Sequence, residues 1–502
     1  MTGLTLIGDT NAIGGASVTP NAPHLSTITG DLLLLLCAYK RTAVTLGTPA
    51  SWAATGAART VGSTAGAPAV NLGQMKLCLF TRDMPASLTM PTLTPGGTSP
   101  VIEAGSITFR RDTGWTVEFS DSSGSDTTSG TALAVTGDTV LPFVAGDFLI
   151  MMLASTIGGS SGSTFSADGT APGGCAGATW SSTLDEKWNS QSASGDGIRQ
   201  VVDGVKCLSG VATTAPSVAV TASVATTGGA VWYRLHPVHL PYHALNLGTG
   251  AGNNFFKLQY ATDGAGSVSE QTLAQLNAGF YLANIFYTVD SLGQPAGDQD
   301  WTRFRVRCDG PNTGGTVYAR AELREQTSGG ADKSFNTASG QHVMRLRLRW
   351  AEYGATKPTV IGAQVHDGTN DQWQLCTEKN ATSGLVEIKS RIDGTSTGQP
   401  KAVLDYKLLD TVDSIIDINA GTARIYINDM VNAMQITTAV NGSSCFFKAG
   451  CYLNFDETDE ASTQHGAVDI AQNSLQVWHT GDTGSPPAPL QLDQPTQFFL
   501  AA

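Results

Sequence analysis

The sequence predicts an all-β protein: two tandem small β-sandwich domains followed by a C-terminal β-jelly-roll, a concanavalin-like sandwich of two antiparallel sheets. Three observations predict it. Of 502 residues, 41% are hydrophobic, only 14% are charged and 57 are glycine, which suits short strands joined by Gly/Ser/Thr turns. No long stretch carries 3.6-residue amphipathic spacing, so helices should be few. Short segments instead alternate, or run apolar, between turn residues.

The same numbers bound the function. Low charge and frequent apolar runs exclude a disordered chain. A net charge of −13 makes the surface as a whole repel nucleic acid and other polyanions. No nucleic-acid partner is expected, and an acidic ligand needs a local basic patch. The segment Met1–Asp9 has neither a basic start nor an apolar core, so no signal peptide is expected. Leu32–Leu36 is too short to span a bilayer and follows Asp31, so no membrane partner is expected. The expected setting is virion-associated, or extracellular after lysis. Eight cysteines lie far apart without a C-x-x-C and read as small buried hydrophobes. Cys445 and Cys451 could pair, but nothing indicates it.

The first 238 residues read as a repeat. Gly30-Asp-Leu-Leu-Leu-Leu-Leu-Cys37 answers to Gly146-Asp-Phe-Leu-Ile-Met-Met-Leu153, and Ser51-Trp52 to Thr179-Trp180. Met75-Lys-Leu-Cys78 answers to Val205-Lys-Cys207, and Gly105–Arg110 to Gly229–Arg234. The expected domains are 1–117, a second copy over 118–238, a jelly roll over 239–482 and a Pro-rich tail over 483–502. His236-Pro-Val-His-Leu-Pro-Tyr-His243 reads as an extended interdomain linker because of its two prolines. Its three histidines lack the shared face and acidic partner that a metal would need.

In the last domain, Arg303-Phe-Arg-Val-Arg307 and Arg345-Leu-Arg-Leu-Arg349 alternate basic and apolar residues. Side chains alternate faces along a strand. Arg303, Arg305, Arg345 and Arg347 are therefore candidate contacts to an acidic polymer, with a solvated outer face as the plain alternative. On Arg320-Ala-Glu-Leu-Arg324, Arg320, Glu322 and Arg324 share a face. The carboxylate can hold both guanidiniums through charge-assisted hydrogen bonds. On Val360–His366, Gln364 and His366 share a face. On Phe446-Phe-Lys-Ala-Gly-Cys-Tyr452, Phe446, Lys448, Gly450 and Tyr452 share one.

These three motifs, in this order, resemble those of polysaccharide lyase family 7, the alginate-lyase-like enzymes, over roughly residues 240 to 482. Three positions differ from the family pattern: Ala321 stands for Ser or Thr, Phe446 for Tyr and Asn454 for Gln. The resemblance implies a lyase acting by β-elimination on a 1,4-linked uronic acid, with no cofactor and no metal. Arg320 and Gln364 would hold the carboxylate. Tyr452 would protonate the leaving O4, and His366 or Tyr452 would take the C5 proton according to the configuration at C5. Glu322, Arg324, Lys448 and Asn454 would order or contact the polymer, while His479 reads as structural.

The expected partner is an acidic polysaccharide: alginate, polymannuronate, glucuronan or a capsular polyuronate. The valine in Gln364-Val-His366 is loosely associated with mannuronate preference. The two N-terminal units loosely resemble bacteriophage structural domains. That adds other virion proteins as expected partners and suggests a phage-borne depolymerase. The alternative is a virion protein that binds acidic polysaccharide for host adsorption without cleaving it.

Overall fold

A computed structural model describes residues 3–40, 46–62, 75–96, 101–158, 173–181, 185–191, 196–248, 254–262, 267–293, 299–312, 318–368, 371–392, 401–403, 405–427, 436–482 and 485–487. Apart from 485–487, the expected tail lies outside the described residues from 483 onward. The chain divides into two compact units, Met1–Val238 and His239–Ala502.

The first unit opens with β1 (Leu4–Gly15), β2 (Leu32–Lys40), β3 (Ala53–Val61), β4 (Met75–Asp83) and β5 (Val101–Arg111). They form one sheet in the order β1-β5-β2-β4-β3. The second set is β6 (Trp115–Thr136), β7 (Phe148–Gly158), β8 (Gly173–Gly174), β9 (Ala178–Trp180), β10 (Asp185–Gln191), β11 (Asp196–Gly210) and β12 (Pro216–His239). Its main path, β10-β11-β7-β12-β6, repeats the first order read from the other end.

Residues of both sheets, among them Leu34, Leu36, Ile107, Ile150, Met152 and Val231, build one shared core. A further core covers the opposite face of each sheet. Burial on both faces explains the unbroken apolar run Leu32–Leu36.

The Gly-Asp pairs behind the repeat do the same work twice. Gly30 and Gly146 sit at φ +92° and +96°, in the region that glycine enters without a Cβ penalty. Asp31 then accepts the Ile28 N–H (2.8 Å) and Arg110 Nε (3.0 Å). Asp147 accepts the Val144 N–H (2.9 Å) and Arg234 Nε (2.5 Å). One sequence match is displaced. The Gly30-Asp31 pair exchanges backbone hydrogen bonds with Met84, and Gly146-Asp147 with Cys207, so the counterpart of Cys207 is Met84 rather than Cys78. The buried Asp turn fixes this register more strongly than the likeness of the short segments.

The expected linker brackets the division between Val238 and His239 and is extended as far as His239; its end and its surroundings differ from expectation. His236 and His239 end β12, and Pro241–Ala244 forms the short helix α1. His236 Nδ1 lies 2.6 Å from Asp147 Oδ1, an acidic partner that sequence distance concealed.

The second unit continues with β13 (Phe256–Tyr260), β14 (Ser269–Gln271), helix α2 (Leu273–Asn277), β15 (Phe286–Val289), β16 (Trp301–Arg307), β17 (Arg320–Glu325), β18 (Gln341–Glu352) and β19 (Val360–His366). Then come β20 (Asp371–Lys379), β21 (Val386–Ile392), β22 (Lys401–Val403), β23 (Val412–Asn419), β24 (Thr422–Ile427), β25 (Ile436–Ala439), β26 (Phe446–Leu453), β27 (His465–Ala471) and β28 (Gln476–His479).

They make two antiparallel sheets of a jelly roll. One runs β14-β13-β17-β26-β19-β20-β21-β22; the other runs β15-β16-β27-β18-β23-β24-β25, with β28 on β18. Between them lies a single apolar core. Ala321, Leu323, Val365, Trp373, Phe447 and Ala449 enter it from the first sheet; Phe304, Leu346, Leu348, Ile416, Val468 and Ile470 enter from the second. Because side chains alternate, each inward residue turns its neighbours to the outer face. All eight cysteines are free and buried.

Candidate active site

The outer face of the first sheet carries the three motifs on adjacent strands. β17 pairs with β26, and β26 with β19. The register sets rows across the sheet. Arg320 lies opposite Tyr452, and Tyr452 opposite Ile361. Arg324, Lys448, Gln364, Gln374 and Arg391 form a second row across five strands. Phe446, His366 and Asp371 form a third.

Glu322 is opposite Gly450, which has φ +139°. A Cβ on Gly450 would fall 2.5 Å from the Ala321 carbonyl oxygen. Glycine is thus required here for the close approach of two strands, in addition to any room it leaves for a ligand.

Glu322 joins the group. Its Oε1 accepts Gln364 Nε2 at 2.6 Å, and its Oε2 faces Lys448 Nζ at 3.2 Å and Arg320 Nη1 at 3.5 Å. All four are buried. Two cations therefore share one carboxylate, which leaves a buried excess of positive charge. Burial lowers the Lys448 pKa, with Glu322 opposing it. Arg320 Nε and Nη2, and Gln364 Oε1, are buried without a protein partner. Unmade hydrogen bonds of this kind are costly, and a planar carboxylate fits a guanidinium fork.

The proton-handling groups flank this centre, both half-buried. The Tyr452 ring lies 4.4 Å from the Arg320 guanidinium. Its pKa is pushed up to about 12, chiefly by burial, with Arg320 pulling the other way, so it is a phenol that can give a proton. His366 is pushed down to about 4, by burial first and Lys448 next, so it is neutral at ordinary pH.

The His366 ring stacks on Phe446 at 5.5 Å, and Arg324 lies 4.1 Å from the same Phe446 ring. His366 Nδ1 accepts the Gly368 N–H at 2.9 Å, and Nε2 faces Asp371 Oδ1 at 3.4 Å. The ring proton of this neutral state accordingly sits on Nε2. Asp371 is held by Gln374 Nε2 at 2.6 Å, and burial raises its pKa. Asn454 follows β26, half-buried, with its N–H donated to the Thr359 carbonyl at 3.0 Å.

Arg303, Arg305, Arg345 and Arg347 do not join this face. They stand on β16 and β18 in the opposite sheet and point away from the shared core. Arg303 is taken by Asp469 (2.7 Å), Arg305 by Glu352 (2.7 Å) and Arg347 by Asp413 (2.8 Å). Alternation assigns a residue to a face of its own strand; it does not say which sheet the strand joins.

Sequence reading missed Asp371 and Gln374. It also missed the cluster at the β13 edge, where Lys257 meets Glu270 and Asp332 (both 3.1 Å) and Arg324 meets Asp332 (3.3 Å). Asp371 could have been found by treating His366 and the next apolar run as a hairpin.

A face that can seat a carboxylate and move a proton beside it has the groups that a polysaccharide lyase, an enzyme that splits an acidic glycan by elimination, requires. Over residues 252–479 the chain matches the family model for alginate lyase.

Among solved structures, the alginate lyase of Corynebacterium sp. is 27% identical over 48% of this chain and 98% of its own, with a TM-score of 0.41. An alginate lyase of polysaccharide lyase family 7 is 26% identical over 48% and 99%, with a TM-score of 0.40. The family 7 alginate lyase AlyA1 of Zobellia galactanivorans is 20% identical over 48% and 99%, with a TM-score of 0.37. No curated protein matches the chain.

Proposed function

We propose that the chain depolymerises alginate or a related 1,4-linked polyuronate by β-elimination. The observation that carries this reading is the unpartnered Nε/Nη2 pair of Arg320, which shares the single Glu322 carboxylate with Lys448. A uronate carboxylate would complete both the hydrogen bonding and the charge balance. Gln364, oriented by Glu322, offers its second Nε2 proton to the same group.

Removing the C5 proton places further charge on that carboxylate, and preorganised donors are the usual means of stabilising it. The C5–H bond breaks, its electron pair forms the C4–C5 double bond, and O4 leaves with a proton from Tyr452. The C5 proton goes to His366 or to Tyr452, whichever the sugar's configuration brings near. Lys448 supplies charge from behind Glu322, and Arg324 meets the polymer.

The setting we propose is extracellular, on a virion or after lysis. It is supported by the resemblance of the tandem units to phage structural domains, and proteomics of purified particles tests it. The substrate reading is tested by comparing polymannuronate with its carboxyl-reduced, neutral counterpart. Cleavage of the acid form alone is expected. Equal cleavage of both, or binding of the acid form without cleavage, would overturn it; the latter outcome describes an adsorption module.

A further inference from the structure

At one end of the jelly roll, three buried residues tie the two sheets together. Glu325 closes β17, one residue beyond Arg324, and its Oε2 accepts the N–H of Phe447 at 3.1 Å, beside Lys448 on β26. Its Oε1 lies 2.5 Å from His479 Nε2 on β28. His479 Nδ1 lies 2.8 Å from His342 Nδ1 on β18. His342 Nε2 meets the Ser339 and Asn336 carbonyls at 2.9 and 3.2 Å. Phe335 stacks 4.2 Å from His342 and lies 5.1 Å from His479, and Phe447 lies 5.7 Å from His479. The other charged side chain bonded here is Asp482, which accepts the His479 backbone N–H at 2.7 Å.

Proton counting gives the result. Both ends of the chain only accept: a carboxylate at one, carbonyls at the other. Three links lie between them, and each needs one proton. Two neutral imidazoles supply two. We infer that Glu325, His479 and His342 are positioning residues that share one extra buried proton and so lock β17 to β26 beside the catalytic face.

His342 gives its Nε2 proton to the carbonyls and remains neutral, burial disfavouring its charged form. The remaining two links, Glu325 Oε1 to His479 Nε2 and His479 Nδ1 to His342 Nδ1, then hold two protons between them.

The Glu325→Gln variant is informative because its amide can donate to His479 Nε2 and still accept from Phe447, with both rings neutral. The proton demand then vanishes while the links persist. In ¹⁵N-histidine NMR at pH 8, the His342 and His479 rings of the wild type are expected to carry three N–H protons between them, and two in Glu325→Gln. Two such protons in the wild type would overturn the shared proton.

The effect on turnover rests on the lyase reading. Glu325→Ala should lower kcat by about 10²-fold, and Glu325→Gln should restore it. Loss in Ala without rescue by Gln would overturn the positioning role. Absence of turnover in the wild type would sink the lyase reading and leave the spectroscopic result standing.

Discussion

Gln364 donates its Nε2 proton to Glu322 Oε1 across 2.6 Å, joining β19 to β17 over the intervening β26. The same carboxylate faces Lys448 and Arg320, so removing it leaves two buried cations without a counter-charge. Glu322→Ala should cost about 3–5 kcal/mol of stability, read by urea unfolding, and should abolish turnover. A variant with the wild-type midpoint and rate would show that the carboxylate is no hub.

Tyr452 and His366 should separate binding from chemistry. Tyr452→Phe on polymannuronate and His366→Ala on polyguluronate should each lose about 10²–10⁴-fold in kcat while calorimetry shows nearly unchanged binding of the same polymer. Full activity in both would remove the assigned roles.

The pH profile follows from the two shifts. His366 is already neutral well below its ordinary range, at about 4, and Tyr452 keeps its proton to about 12. The profile of kcat/KM should therefore show no limb near 6.5 from His366 and no loss of the Tyr452 acid up to about pH 10. Stability has its own sign. His366 and His239 are both held down to about 4, burial being the main cause in each. The unfolded chain takes up protons first, so stability is full above about 6.5 and drains as pH falls toward 4. A melting temperature that rises on acidification through that window would contradict this.

The Gly368 N–H bears on the choice of sugar. While it holds His366 Nδ1, Nε2 carries the proton and cannot accept another. Use of His366 as base means giving up that bond, at about 0.5–1.5 kcal/mol. In mannuronate the C5 proton and O4 leave from the same side, and Tyr452 can serve both once it is a phenolate, a state that Arg320 favours but that its pKa of about 12 makes scarce near pH 8. Cleavage of polymannuronate should therefore climb with pH between 8 and 10 more steeply than that of polyguluronate in parallel initial-rate assays. Equal pH dependence of the two would show that Tyr452 is not the base for mannuronate.

Much of this site could be read from single strands. Alternation placed Arg320, Glu322 and Arg324 on one face, and likewise Gln364 with His366 and Lys448 with Tyr452, because each set lies within one strand. What lay between strands was not legible. Arg303, Arg305, Arg345 and Arg347 follow the same alternation yet stand on the opposite sheet, where Asp469, Glu352 and Asp413 take three of them. The sequence separation of Arg303 and Asp469 gave no warning of this. His236 and Asp147 were hidden likewise. Asp371 escaped notice because its pairing with His366 depends on a hairpin register that neither segment encodes alone.

The most direct measurement is the near-ultraviolet absorbance of the new C4–C5 double bond when the protein is incubated with polymannuronate, polyguluronate and glucuronan. A steady rise with polymannuronate is expected, lost in Tyr452→Phe. Tight binding of these polymers with no rise from any of them would contradict the proposal that this face catalyses elimination.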